Sequence, residues 1–185
     1  MDRTEYTPDV AGLKAMAHPL RLRLLGLLRA DGPSTATALA ARVGESSGTT
    51  SYHLRRLAGA GLVVEDAERG TARDRWWRAA QDATRLDATD FLDDPESRAA
   101  VEGYMSTIAA MYGARMQAWL SESPTWPRRW QSASTLSDFG LTLSAAELTR
   151  LNEEIERLIE SYHRPARRGD AQVVVQFQSF PRRSS

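Results

Sequence analysis

Ser46-Ser47-Gly48-Thr49-Thr50-Ser51-Tyr52-His53-Leu54-Arg55-Arg56-Leu57-Ala58-Gly59-Ala60-Gly61-Leu62-Val63 is the stretch on which the fold turns. Ser46 can offer its hydroxyl to the first unpaired N–H groups of a helix. Thr50, Leu54 and Leu57 then recur at i, i+4 and i+7 and share one buried face. The opposite face carries Ser47, Thr49, Ser51, Tyr52, Arg55 and Arg56. Hydroxyls and guanidinium groups of this kind suit base edges and phosphates, so the segment reads as a DNA recognition helix running into a strand.

Upstream, the pattern predicts three more helices. Residues 1–10 are polar and read as frayed. Val10 to Ala17 forms a short helix with Val10, Leu13 and Ala17 inward and Met16 a further candidate, ended by His18-Pro19 because the residue before proline leaves the α region. Pro19 suits the first turn of a second helix carrying Leu20, Leu24, Leu27 and Leu28, stopped by Asp31-Gly32-Pro33. Ser34 or Thr35 caps a third helix with Leu39, Ala40 and Val43 apolar, and Gly44-Glu45 is the turn before Ser46.

Downstream, Leu62-Val63-Val64-Glu65 reads as a strand, Asp66 to Asp74 as a charged loop with Gly70 near its tip, and Arg75-Trp76-Trp77-Arg78 as the returning strand. Successive strand residues face opposite sides, so one of the two Trp residues belongs to the core and the other is half-exposed. Helices followed by a two-stranded hairpin describe a winged helix-turn-helix over residues 1–80. Residues 81–94 read as an acidic linker, and residues 95–181 as a dimerisation and effector region. There a long amphipathic helix runs from about Pro95 to Ser121, and Val101, Tyr104, Met105, Ile108, Tyr112 and Trp119 are its expected dimer interface. Trp130 to Leu136 reads as a strand. Ser144-Ala145-Ala146-Glu147 is a capping box opening another helix, and Gln172 to Gln178 alternates like a strand, either in a plain sheet or pairing across a dimer. The expected fold is mainly α with small β: a winged helix-turn-helix domain, a long dimerisation helix and an α/β C-terminal region.

Composition narrows the function. The 185 residues carry no net charge, but its distribution is uneven. Residues 11–80 hold 11 Lys/Arg against 6 Asp/Glu, residues 81–163 hold 7 against 14, and residues 164–185 hold 5 against 1. The recognition segment therefore lies in the basic part, where polyanion binding is expected. With no cysteine, disulfides, thiolate metal sites and cysteine nucleophiles are excluded. No apolar run approaches the ~18 residues of a membrane span, and the N-terminus lacks the pattern of a secretory signal, so a cytoplasmic protein with no membrane partner is expected.

Leu13-Lys14-Ala15-Met16-Ala17-His18-Pro19-Leu20-Arg21-Leu22-Arg23-Leu24-Leu25, Thr49-Thr50-Ser51-Tyr52-His53-Leu54 and Ala60-Gly61-Leu62-Val63 together resemble the ArsR (arsenic repressor-like) family of bacterial and archaeal transcription regulators. The resemblance covers residues 10–80. It implies a homodimer that binds a palindromic operator in double-stranded DNA, usually as a repressor released by an effector. It also implies that Thr49, Ser51 and Tyr52 face the bases, that Arg55 and Arg56 reach the backbone, and that Arg69 and Arg73 in the wing loop meet the minor groove or phosphates.

The departures matter equally. Classical members sense soft metals through a Cys-containing motif in the helix before the recognition helix, where this chain reads Thr35-Ala36-Thr37-Ala38-Leu39-Ala40-Ala41-Arg42. His18, His53 and His163 are far apart in sequence and form no H-x₃-H pattern. No metal or other cofactor is expected, and soft-metal sensing is disfavoured. His18 reads as a helix-junction residue, and His53 as packing at the helix edge with a hydrogen bond to backbone or phosphate. An unidentified small-molecule effector remains an option for an apolar site around Trp119, Trp126 and Trp130. No nucleophile motif, phosphate loop or metal-binding His/Glu spacing points to an enzyme. The competing expectation is a winged-helix protein-interaction module that acts through its acidic C-terminal region without specific DNA binding.

Overall fold

Short polar side chains and glycines set where the helices begin and end. In the computed structural model, which describes residues 4–69 and 75–183, helix α1 spans Val10–Met16 and the Asp9 carboxylate accepts the Gly12 N–H at 2.7 Å. His18 is extended, as the residue before a proline should be, and its Nδ1 accepts the Leu20 N–H at 3.2 Å. Helix α2, Pro19–Asp31, starts on that cap and stops at Gly32. Thr35 caps α3, Ala36–Val43, and Gly44 closes it in the left-handed region at φ 75°, where a Cβ would be strained. Ser46 caps α4, Ser47–Gly59, by accepting the Thr49 N–H at 3.0 Å.

Among the described residues five short strands accompany these helices: β1 (Glu5–Tyr6), β2 (Ser34–Thr35), β3 (Val63–Glu65), β4 (Trp76–Ala79) and β5 (Ala83–Thr84). Strand β4 pairs antiparallel with β3, placing Val64 opposite Arg78, and with β2, placing Ser34 opposite Trp77. This three-stranded sheet is one strand wider than the hairpin expected from the sequence. Trp77 is buried and Trp76 half-buried, following strand alternation. Leu13, Met16, Leu22, Leu24, Leu25, Leu28, Leu39, Val43, Leu54, Leu57, Leu62, Val63 and Trp77 form one core beneath α1 to α4. The winged helix-turn-helix architecture is therefore present.

The expectation of fraying over residues 1–10 is corrected from Thr4 onward, residues 1–3 lying outside the described residues. Strands β1 and β5 pair in parallel, with Glu5 opposite Ala83 and Tyr6 opposite Thr84. Thr4 donates its N–H and its hydroxyl to the Asp82 carboxylate, each at 2.8 Å, and the Tyr6 hydroxyl donates to the Ala60 carbonyl at 3.0 Å. The 81–94 segment is likewise more than a linker. Arg29 on α2 donates to the Gln81 carbonyl, the Ala83 carbonyl and Thr84 Oγ1, all at 3.0 Å. A single turn of 3₁₀ helix follows at Ala88–Phe91.

Helix α5 runs Pro95–Glu122. The chain divides into two compact units, Met1–Leu120 and Ser121–Ser185, so the division falls well beyond the segment expected as a linker. Within the first unit, Ala100 and Tyr104 join the core, with Val101, Ile108 and Met111 half-buried against it. This corrects the expected dimer seam in part. Tyr104, only 6% exposed, faces its own domain, whereas Met105 is 51% exposed. Positions 97, 100, 104, 108 and 111 recur at helical spacing on the side that packs against the helix's own domain.

The second unit holds α6, Arg128–Ala133, and α7, Ala145–Glu160. The first replaces the strand expected at Trp130 to Leu136: Pro127 supplies a favourable helix start and Trp126 packs edge-to-face on Trp130, one turn on, at 6.3 Å. The capping box of α7 is formed, with Ser144 and Glu147 exchanging side chain-to-backbone hydrogen bonds. The expected strand at Gln172 to Gln178 is absent: the segment pairs with no other strand among the described residues. An alternating sequence supplies the faces of a strand but not the neighbour whose N–H and C=O groups complete a ladder. The α/β description of this region is corrected accordingly. None of the described residues of this unit is buried.

Candidate nucleic-acid interface

The recognition segment is helical over the expected span, and its two faces separate as its periodicity requires. Thr50, His53, Leu54 and Leu57 are buried. Ser47, Tyr52, Arg55 and Arg56 are exposed, and Thr49 and Ser51 are half-buried. Thr49 is partly committed to the cap, since its Oγ1 lies 2.8 Å from Ser46 Oγ. At the far end, Gly61 takes φ 72° and turns the chain into β3. The C-terminus of α3 is held by Arg23, which donates to the Val43 and Arg42 carbonyls at 3.3 and 3.1 Å. These contacts tie α2 to the C-terminal end of α3, just ahead of the turn into α4.

In the wing, Arg69 pairs with Asp66 at 3.5 Å and Arg75 with Glu65 at 3.1 Å. Arg73 and Gly70 lie outside the described residues. The Arg75 guanidinium also sits 5.9 Å from the centre of the Trp77 ring. Thr35, Ala36, Thr37, Ser51, Arg55, Arg75 and Trp77 surround a cleft of about 270 Å³ beside the recognition helix. Of these, sequence reasoning picked out Ser51 and Arg55 as contacts and missed Thr37 and Arg75. Arg75 read only as a strand flank, and its proximity to α3 depends on the β2–β4 pairing, for which two residues leave no legible pattern.

Two histidines far apart in sequence meet behind this face. The His18 and His53 rings lie 4.6 Å apart, tilted by 42°, and Tyr52 packs edge-on to His53 at 5.2 Å. His53 is buried rather than at the helix edge, and neither its Nδ1 nor Thr50 Oγ1 has a hydrogen-bond partner among the described residues. Burial lowers the pKa of both rings; Arg21 lowers both further, and His18 adds to the effect on His53. A neutral His18 is also what its cap requires, because Nδ1 must accept. No third ligand among the described residues joins the pair into a metal-holding group.

Residues 16–66 match the family described as a helix-turn-helix domain, so the chain carries such a domain. No curated protein matches the chain. Among solved structures, it is similar to the homodimeric winged helix-turn-helix DNA-binding domain of Mycobacterium bovis, a fragment of a possible ArsR-family transcriptional regulator. Identity there is 33% and the TM-score 0.34, with 38% of this chain and 61% of that fragment covered, which is less than two thirds of the fragment. A possible transcriptional regulator for arsenical resistance is 31% identical over 52% of this chain and 82% of that one, with a TM-score of 0.34.

Proposed function

We propose that this chain, built around a helix-turn-helix domain at residues 16–66, is a sequence-specific transcription regulator of the ArsR-like kind, acting as a homodimer on a palindromic operator, most simply as a repressor. The observation that carries the reading is the division of α4 into a buried face and an exposed face of hydroxyl, phenol and guanidinium groups. In this reading α4 enters the major groove. Ser47, Thr49 and Tyr52 are offered to base edges, and Arg55, Arg56, Arg69 and Arg73 to the backbone or minor groove. A two-fold dimer would place two α4 helices about 34 Å apart, or a multiple of that, on one face of the duplex.

The exposed side of α5, with Met105 and Met116, is the surface proposed for the dimer contact. No catalytic role is proposed. Footprinting on the DNA upstream of the protein's own gene is the direct test, since regulators of this type commonly act on adjacent promoters. A protected, two-fold symmetric site is the expected result. Loss of random duplex from the protein even at low salt would instead favour a protein-interaction module. That second reading draws on residues 121–183, where Leu136, Phe139, Leu158 and Phe180 stand exposed.

A further inference from the structure

We infer that the cleft between α3, α4 and β4 seats one backbone phosphodiester of duplex DNA, held jointly by Arg55 and Arg75. The inference rests on the DNA-binding reading and assigns that site a residue set which α4 alone does not contain. Thr35 and Thr37 come from the start of α3, Ser51 and Arg55 from α4, and Arg75 and Trp77 from the β4 end. They supply two permanently charged guanidinium groups and three hydroxyls, and no carboxylate is among the lining residues. At about 270 Å³ and with this lining, the cleft is smaller and more polar than the ~300–1,000 Å³ apolar cavity typical of a small-molecule site.

Arg75 is set in place before any ligand arrives, by Glu65 at 3.1 Å and by the Trp77 ring beneath it. Both members of that ion pair are about half exposed, so the pair is weak and leaves the remaining guanidinium donors available. Arg55 makes no ion pair among the described residues and lines the same cleft from α4. A tetrahedral anion with several acceptor oxygens matches donors converging from three elements. Ser51, which its helical position alone would offer to a base, becomes a phosphate donor. A phosphate fixed here would set the depth and register of α4 in the groove without reading any base.

The test uses the full chain, a short random-sequence duplex and a potassium chloride titration, with Arg55→Ala, Arg75→Ala and the double variant. If both arginines hold one phosphate, the double variant flattens the slope of log affinity against log salt by about one unit in total, because only one phosphate is released. Additive loss of about two units would place them on separate phosphates and overturn the seat. Thr37→Val and Ser51→Ala, which leave the charges and the Glu65 pair intact, should weaken binding to random duplex and to any operator by the same factor, of roughly three- to tenfold. A change of base preference in Ser51→Ala would overturn its assignment. If inorganic phosphate stabilises wild type against heating, that effect is lost in the double variant and the salt slopes are unchanged, the seat belongs to a free anion and not to DNA. A wild-type chain that binds no duplex at low salt would overturn the DNA-binding reading itself, a result distinct from a bound duplex with additive slopes.

Discussion

Tyr52 and Arg56 occupy the same exposed face of α4 but do different physical work. A phenol can choose between base edges, whereas a guanidinium on a phosphate cannot read sequence. Tyr52→Ala should therefore narrow the affinity gap between operator and random duplex. Arg56→Ala should weaken both and flatten the salt slope by about one unit. Competition binding at several salt concentrations separates the two; an Arg56 variant that lost only base discrimination would contradict the assignment.

The His18–His53 pair makes a second residue-level prediction. Both pKa values are lowered in the folded protein, chiefly by burial, so the unfolded chain binds more protons just below the ordinary histidine value. Stability should be full above about pH 6.5 and fall as the pH drops through and below it. Thermal unfolding from pH 7.5 to 5 measures this, and His53→Leu should flatten the profile. A wild-type melting temperature that rose on acidification would contradict the sign.

At the scale of elements, ends are where sequence and structure agree best. Thr35, Ser46 and Ser144 are short hydroxyl side chains immediately before a helical period, and each accepts a backbone N–H as their chemistry requires. Ser46→Ala should cost about 1 kcal/mol in urea-induced unfolding, and Leu54→Ala in the core beneath α4 about 2–5 kcal/mol. Elements that depend on a distant partner were not legible. Two-residue strands such as β1, β2 and β5 carry no periodicity, and only their pairing defines them. The apparent strand at Gln172 to Gln178 shows the reverse, a clear alternation that joins no sheet among the described residues. At Trp130 to Leu136 the structure departs from the pattern for a third reason: aromatic residues and Thr suit strands, but Pro127 and the Trp126–Trp130 contact favour a helical turn. The same limit applied to the candidate site, where the α4 face could be read from one helix but the cleft needs three elements at once.

For the whole molecule, a homodimer is part of the proposed function rather than of the single chain, and α5 is where burial bears on it. Its inward face is used up by Ala100 and Tyr104, so a dimer contact on this helix has to use the side bearing Met105 and Met116. Met105→Glu combined with Met116→Glu should shift sedimentation toward the monomer and reduce operator affinity, while random-duplex binding per protomer is kept. An unchanged dimer would move the contact away from α5. Charge segregation complements this arrangement, since the basic 11–80 region attracts the polyanion while the acidic 81–163 region is repelled by it.

The Tyr6–Ala60 hydrogen bond has a mechanical meaning. Ala60 follows directly on the last turn of α4, Tyr6 belongs to a strand laid on β5, and β5 is gripped by Arg29. The exit of the recognition helix is thus tethered to the stretch of chain that leads into α5. Pull on that stretch and the tether draws on the base-reading helix, like a bowstring tied to both limbs. Gly12 sits where this tether bears on α1, because a Cβ there would collide with the Tyr6 hydroxyl. Gly12→Val should therefore slacken the string, lowering operator affinity through a residue remote from the DNA, and Tyr6→Phe should reproduce a milder form of the same loss.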